Sequence, residues 1–129
     1  MRTWTADSAG SPEAAWTLFS RPREWSAWAP HVRGAWGLGD EVTVGAAGAV
    51  RLLGVVPVPV RVLAVTPGRA WSWRVGAVVE ADHRVEPRDG GCRVAFDLRA
   101  PGPAEAALAA AYGPVIALTL RRLARAIEP

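Results

Sequence analysis

The stretch AWSWRVGAVVEADHRV, residues 70 to 85, decides the fold. Trp71, Trp73 and Val75 alternate with Ala70, Ser72 and Arg74, and after a short break Val79, Ala81, His83 and Val85 alternate with Glu80, Asp82 and Arg84. A period of two with one apolar register marks a half-buried β-strand. The inward positions are all odd-numbered, so two paired strands need a loop with an odd number of residues. A three-residue loop, Gly76 to Val78, sets Val75 opposite Val79, Trp73 opposite Ala81 and Trp71 opposite His83. On the other side an even loop within RDGG sets His83 opposite Val94 or Phe96.

Working outward, CRVAFDLR continues the pattern, with Cys92, Val94, Phe96 and Leu98 inward. Upstream, PVRVLAV ends at the turn TPGR, and segments near Glu41–Gly45 and Val50–Leu53 predict one strand broken around GAAGA. VRGAWGL places Val32, Gly34, Trp36 and Leu38 in one register, and MRTWTA predicts a first strand. Consecutive strands joined by tight Gly/Pro/Asp turns make an antiparallel meander with one apolar face. Between the first two strands, SPEAAWTLF predicts a helix with Ser11 as N-cap, Pro12 at its first position and Glu13 in its first turn. SRPREWSAWAP predicts a second short helix opened by Ser20 and closed by Pro30, with Trp25 and Trp28 on its inner face. A long helix follows from about Ala104 to Ile127, its stripe formed by Leu108, Tyr112, Val115, Leu118 or Thr119, Leu123 and Ile127. Pro114 should kink it, and Arg121, Arg122 and Arg125 suit its negative C-terminal end. The expected class is α+β: a curved seven-stranded antiparallel sheet wrapped around one long C-terminal helix, in one domain spanning residues 1 to 129.

Composition narrows the function. Half the residues are hydrophobic and 21% are charged, as in a globular protein. All fifteen basic residues are arginine, which reads as the bias of a GC-rich genome. They alternate with acids, as along Glu80, Asp82, Arg84 and Glu86, whereas a nucleic-acid face concentrates one sign. One cysteine, Cys92, excludes an intramolecular disulfide, and its inward position near a turn favours inert packing. The N-terminus has no apolar signal region. The longest uncharged run, residues 106 to 120, is short of a membrane span and is interrupted by Gly113-Pro114. A cytoplasmic location without membrane insertion is expected.

The order of elements resembles the START-like helix-grip superfamily, the group of polyketide cyclases/dehydrases (SRPBCC proteins) and lipid-transfer proteins. The resemblance rests on SPEAAWTLFSRPREWSAWAP, VRVLAVTPGRAWSWRV and DHRVEPRDGGCRVAF, and extends over essentially the whole chain. It implies a pocket for an apolar small molecule or lipid between sheet and long helix, and carries no universal catalytic motif.

Candidate site residues follow from the inward registers. Trp28, Trp36, Trp71, Trp73, His83, Phe96 and Tyr112 would line such a pocket. The tryptophans serve equally as core, the expected role of Trp25. His83 lies among apolar neighbours with no acid on its own face, so burial should keep it neutral. It reads as a wall residue, then as a handle for a ligand or for Tyr112, and last as an acid–base catalyst. Arg51 and Arg61 are expected on the outer face rather than in the pocket. No metal is expected, because His31 has no second ligand at metal spacing, and no cofactor is called for. The expected function is binding of a small apolar or aromatic, polyketide- or lipid-like molecule. The rivals are a polyketide cyclase/dehydratase with His83 or Tyr112 moving protons, and a non-catalytic interaction module. Expected partners are a small hydrophobic ligand and, for a homodimer rather than a monomer, a second copy of the chain.

Overall fold

A computed structural model of the chain describes residues 1–52 and 57–129. Its elements run β1 (Arg2–Ser8), α1 (Pro12–Ser20), a 3₁₀ turn (Pro22–Glu24), α2 (Trp25–Trp28), β2 (Val32–Trp36), β3 (Ala47–Leu52), β4 (Pro57–Thr66), β5 (Ala70–Val75), β6 (Val79–Arg88), β7 (Gly91–Arg99) and α3 (Pro103–Ala126). The seven strands form one antiparallel sheet in the order β1-β7-β6-β5-β4-β3-β2, with β1 and β2 at the edges. This is the helix-grip arrangement, α3 lying against β1 and β7 on the apolar face of the sheet and α1 against β6 and β7.

The register deduced for β5 and β6 is the one observed: Val75 faces Val79, Trp73 faces Ala81, and Trp71 faces His83. His83 faces Phe96 on β7, one of the two partners expected. α1 begins as its sequence dictates, Ser11 Oγ accepting from the Ala14 amide at 3.1 Å with Pro12 in the first turn.

Other expectations are corrected. Ser20 does not open the second helix; it is the buried last residue of α1, and Arg21 precedes the 3₁₀ turn without a side-chain cap. No strand forms over Glu41–Gly45, so β3 starts only at Ala47; its expected last residue, Leu53, lies outside the described residues. On α3 the buried residues are Gly113, Ile116, Thr119, Leu120, Leu123 and Ala124, while Leu118 is exposed. The stripe therefore runs through Thr119, which satisfies its hydroxyl on the Ile116 carbonyl at 2.8 Å. Gly113 has a reason to be glycine: a Cβ there would come within 3.2 Å of the Trp4 ring on β1. By length and composition α3 could cross a membrane, since such a span tolerates the few charges that bound its uncharged run.

The outer face of the sheet carries ordered ion pairs. Arg84 forks onto Asp97 at 2.7 and 3.1 Å and also meets Glu86. Arg99 forks onto Asp82 at 2.6 and 3.0 Å, and Arg93 onto Asp7. Asp97 is buried beneath this layer and accepts from Thr3 at 2.7 Å. Burial alone would raise its pKa, but the hydrogen bonds from Arg84 and Thr3 hold it below the usual range.

Candidate functional site

A cavity of about 280 Å³ lies between the inner sheet face, α1, α2 and α3. Its floor is built by the strands. In β5 and β6 the period of two aims Trp71, Trp73, Ala81 and His83 inward, and β7 adds Phe96. Tyr112, Ile116 and Leu120 reach in from α3 at helical spacing, and Phe19, Trp25 and Trp28 from the two short helices.

Three rings form a stack. Trp25 lies parallel to Trp71 at 5.6 Å between centroids, and Trp71 parallel to His83 at 3.8 Å. Trp73 stands edge-on to all three at 5.1 to 5.6 Å. Phe96 and Phe19 stand edge-on to His83 at 5.0 and 5.7 Å. These are the offset-stacked and T-shaped geometries that the quadrupoles of aromatic rings favour.

Hydrogen bonds fix the rings in place. The last carbonyls of a helix have no partner within it, and an indole N–H is a donor only. The Phe19 carbonyl near the end of α1 accepts from Trp25 Nε1 at 2.9 Å and from Trp71 Nε1 at 3.1 Å. The Leu18 carbonyl accepts from Trp28 Nε1 at 3.2 Å, and the Ser20 carbonyl from the Val42 amide. Tryptophans from α2 and β5 thus cap the C-terminus of α1, and the helix in return orients the wall of the cavity.

His83 is buried, and its Nδ1 lies 3.4 Å from the Trp71 carbonyl. Burial lowers its pKa to about 4, against smaller opposing effects of that carbonyl, Asp82 and Asp97, so the ring is neutral at pH 7. Both acids lie in the outward register and are held there by Arg99 and Arg84, so no carboxylate orients the imidazole. Tyr112 is half-buried at the cavity. No hydrogen bond joins it to His83 among the described residues, so Tyr112 is not the partner that one of the alternatives offered for the imidazole.

Of the sequence candidates, Trp28, Trp71, Trp73, His83, Phe96 and Tyr112 meet at this cavity, and Trp36 does not. Trp36 is 47% exposed, on the other face of the sheet. Val32 pairs with Leu52 but Gly34 pairs with Arg51, so Arg33 is an extra residue in β2. This bulge reverses the inside–outside parity beyond it. Ala35 then turns inward opposite fully buried Val50, and Trp36 turns outward opposite Ala49. The Arg51 guanidinium sits 5.2 Å from the Trp36 ring centre, and Arg51 and Arg61 both stand apart from the cavity.

Several lining residues escaped the sequence reading of the site, Trp25, Phe19, Ile116 and His31 among them. Trp25 belongs both to the core and to the cavity wall, and Phe19 is carried inward at the i+4 position from Ala15. Ile116 is one residue beyond the expected Val115. His31 also lines the cavity; its Nδ1 is buried without a hydrogen-bond partner, and burial lowers its pKa. Its place between α2 and β2 carries no periodic signal that could have revealed it.

The chain matches the family model described as polyketide cyclase / dehydrase and lipid transport over residues 3–128. No curated protein matches it in sequence. Among solved structures, a protein from Nitrosomonas europaea is 16% identical with a TM-score of 0.77, the alignment covering 96% of this chain and 91% of that one. An Aha1 protein from Colwellia psychrerythraea, solved as a dimer, is 17% identical with a TM-score of 0.77, over 98% of this chain and 94% of that one. DynU16, from the dynemicin biosynthetic locus, is 17% identical with a TM-score of 0.75, over 95% of this chain but 45% of its own. At such identities these neighbours speak for the fold alone. The family match, covering nearly the whole sequence, goes further: the chain belongs to the polyketide cyclase / dehydrase and lipid transport family.

Proposed function

We propose that the chain binds one small apolar or aromatic molecule between its sheet and α3. The observation that carries this reading is the cavity itself, walled by rings held on the backbone of α1 before any ligand arrives. Preformed, mostly apolar concavities with few polar groups are where small molecules bind. The volume, about 280 Å³, lies just below the range of roughly 300–1,000 Å³ usual for such sites, which counts against a large ligand. A heavy atom with its hydrogens takes roughly the ~30 Å³ share of a liquid water, which gives room for on the order of ten such atoms. One or two fused rings fit; a full lipid chain or an extended polyketide needs the walls to part.

Native mass spectrometry of the purified protein, followed by calorimetric titration with one- and two-ring aromatics, tests the reading. Saturable one-to-one binding is expected, lost in Ala81→Leu, which fills the cavity from its floor. Binding that survives this plug, or no binding by any probe, overturns the proposal.

The second reading, a cyclase or dehydratase acting on a reactive chain, draws on the family description. Its proton-transfer candidates are His83 and Tyr112. A base with a pKa near 4 and no orienting carboxylate is poorly matched to work at pH 7. Full turnover by a folded His83→Phe, Tyr112→Phe double variant would remove both from any such mechanism.

A further inference from the structure

We infer that the cavity selects an uncharged ring compound whose hydroxyl donates a hydrogen bond to His83 Nε2. This rests on the ligand-binding reading above and names the chemistry of the ligand. The charge follows from the walls: among the described residues, no arginine, aspartate or glutamate lines the cavity. Arg84 and Arg99, on the strands of its floor, are engaged with Asp97 and Asp82 on the other face of the sheet. A carboxylate or phosphate entering this space would lose its water and gain no counter-charge, the costliest form of burial.

The hydroxyl follows from the histidine. The Trp71 carbonyl can only accept, so the ring nitrogen facing it, Nδ1, carries the proton. In a neutral imidazole the other nitrogen is then an acceptor. Nε2 has no hydrogen-bond partner among the described residues, and His83 lines the cavity. The ring cannot swing away to find one, stacked on Trp71 and flanked by the edges of Trp73, Phe96 and Phe19. An acceptor held this firmly in an apolar wall is satisfied by a ligand donor or by water, and an apolar ligand of the same shape would leave it bare. His31, with its unpartnered buried Nδ1, and Tyr112 are further polar points on a mostly apolar lining, while the Thr119 hydroxyl is taken by the Ile116 carbonyl.

Three probes of one shape test this: β-naphthol, β-methylnaphthalene and β-naphthoate, measured by equilibrium dialysis. The wild-type protein is expected to bind the naphthol about fivefold or more tightly than the methyl compound, the factor one such hydrogen bond supplies, and to bind the naphthoate more weakly than either. His83→Phe is expected to reverse the order of the first two. In nitrogen-labelled wild-type protein, the Nε2 resonance of His83 should move with the naphthol and stay in place with the methyl compound, a readout that does not depend on the variant folding. Equal or tighter binding of β-methylnaphthalene by the wild type, or an unmoved Nε2 resonance, overturns the inference while leaving the ligand-binding reading intact. Tight binding of the naphthoate does the same. Failure of all three probes to bind overturns that reading and the inference with it.

Discussion

His83 sits where its charged form has nothing to lean on. A ring that titrates near 4 when folded and near 6.5 when exposed takes its proton first in the unfolded chain as the pH falls. Its contribution to stability is complete above pH 6.5 and declines between 6.5 and 4, by up to about 3 kcal/mol. His31, lowered by burial, acts in the same direction. Asp97 acts lower on the scale: its folded pKa is depressed, so its contribution holds above about 3.8 and is lost as the pH drops further. Urea midpoints of the wild type are therefore expected to fall between pH 6.5 and 4, and those of His83→Phe to fall less steeply; parallel profiles would acquit His83. Trp36 makes the opposite case. Half in solvent and covered by Arg51, it contributes a cation–π contact of about 0.5–1 kcal/mol. Trp36→Ser should cost no more than about 1 kcal/mol and leave ligand affinity unchanged; a tenfold affinity loss in dialysis would return Trp36 to the site. The contrast shows what the sequence could tell. His83 was placed correctly because loop parity is arithmetic, and Trp36 was misplaced because one extra residue, Arg33, breaks the alternation without altering the pattern of residue types.

Elements were legible wherever a local rule acts alone. The start of α1 is set by Ser11, Pro12 and Glu13, and the strands β5 to β7 by strict alternation. The end of α1 was not legible, because its caps are indoles from residues far along the chain, up to Trp71. The stripe of α3 stayed open between Leu118 and Thr119, since both lie near its edge and only packing chooses Thr119. At the β2–β3 hairpin the decisive residue is Gly48, where a Cβ would fall 1.9 Å from the Trp36 carbonyl oxygen. No side chain can occupy that space, so Gly48→Ala must push the strands apart beside the bulge. A loss of more than about 2 kcal/mol is expected in chemical denaturation. A variant as stable as the wild type would contradict this strand spacing.

At the scale of the molecule, the tryptophans answer the question of core or cavity in both senses. Trp25, Trp71 and Trp73 pack against one another within the core, and all three also line the space that remains. The class of fold was readable because an apolar sheet face of this width needs a long helix to cover it. The volume left over was not, because it is a small difference between large packed volumes. A ligand bound only by the folded state stabilises it by mass action, about 2.7 kcal/mol at a hundredfold excess over Kd. For a chain of 129 residues that should raise Tm by roughly 10 °C. Scanning calorimetry should show this rise in the wild type and none in Ala81→Leu; a rise in both would move the binding site elsewhere.

The clustering of Trp25, Trp71 and Trp73 has a spectroscopic consequence. Indoles whose centres lie 5.1 to 5.6 Å apart do not absorb light as separate chromophores. Their excited states mix, and a chiral arrangement of mixed states gives paired bands of opposite sign in ultraviolet circular dichroism. The sign and size of that pair depend on the angles between the rings, here one parallel and two nearly perpendicular pairs. The wall of the cavity therefore carries an optical signature of its own geometry, one tied to α1 through the carbonyl that holds Trp25 and Trp71.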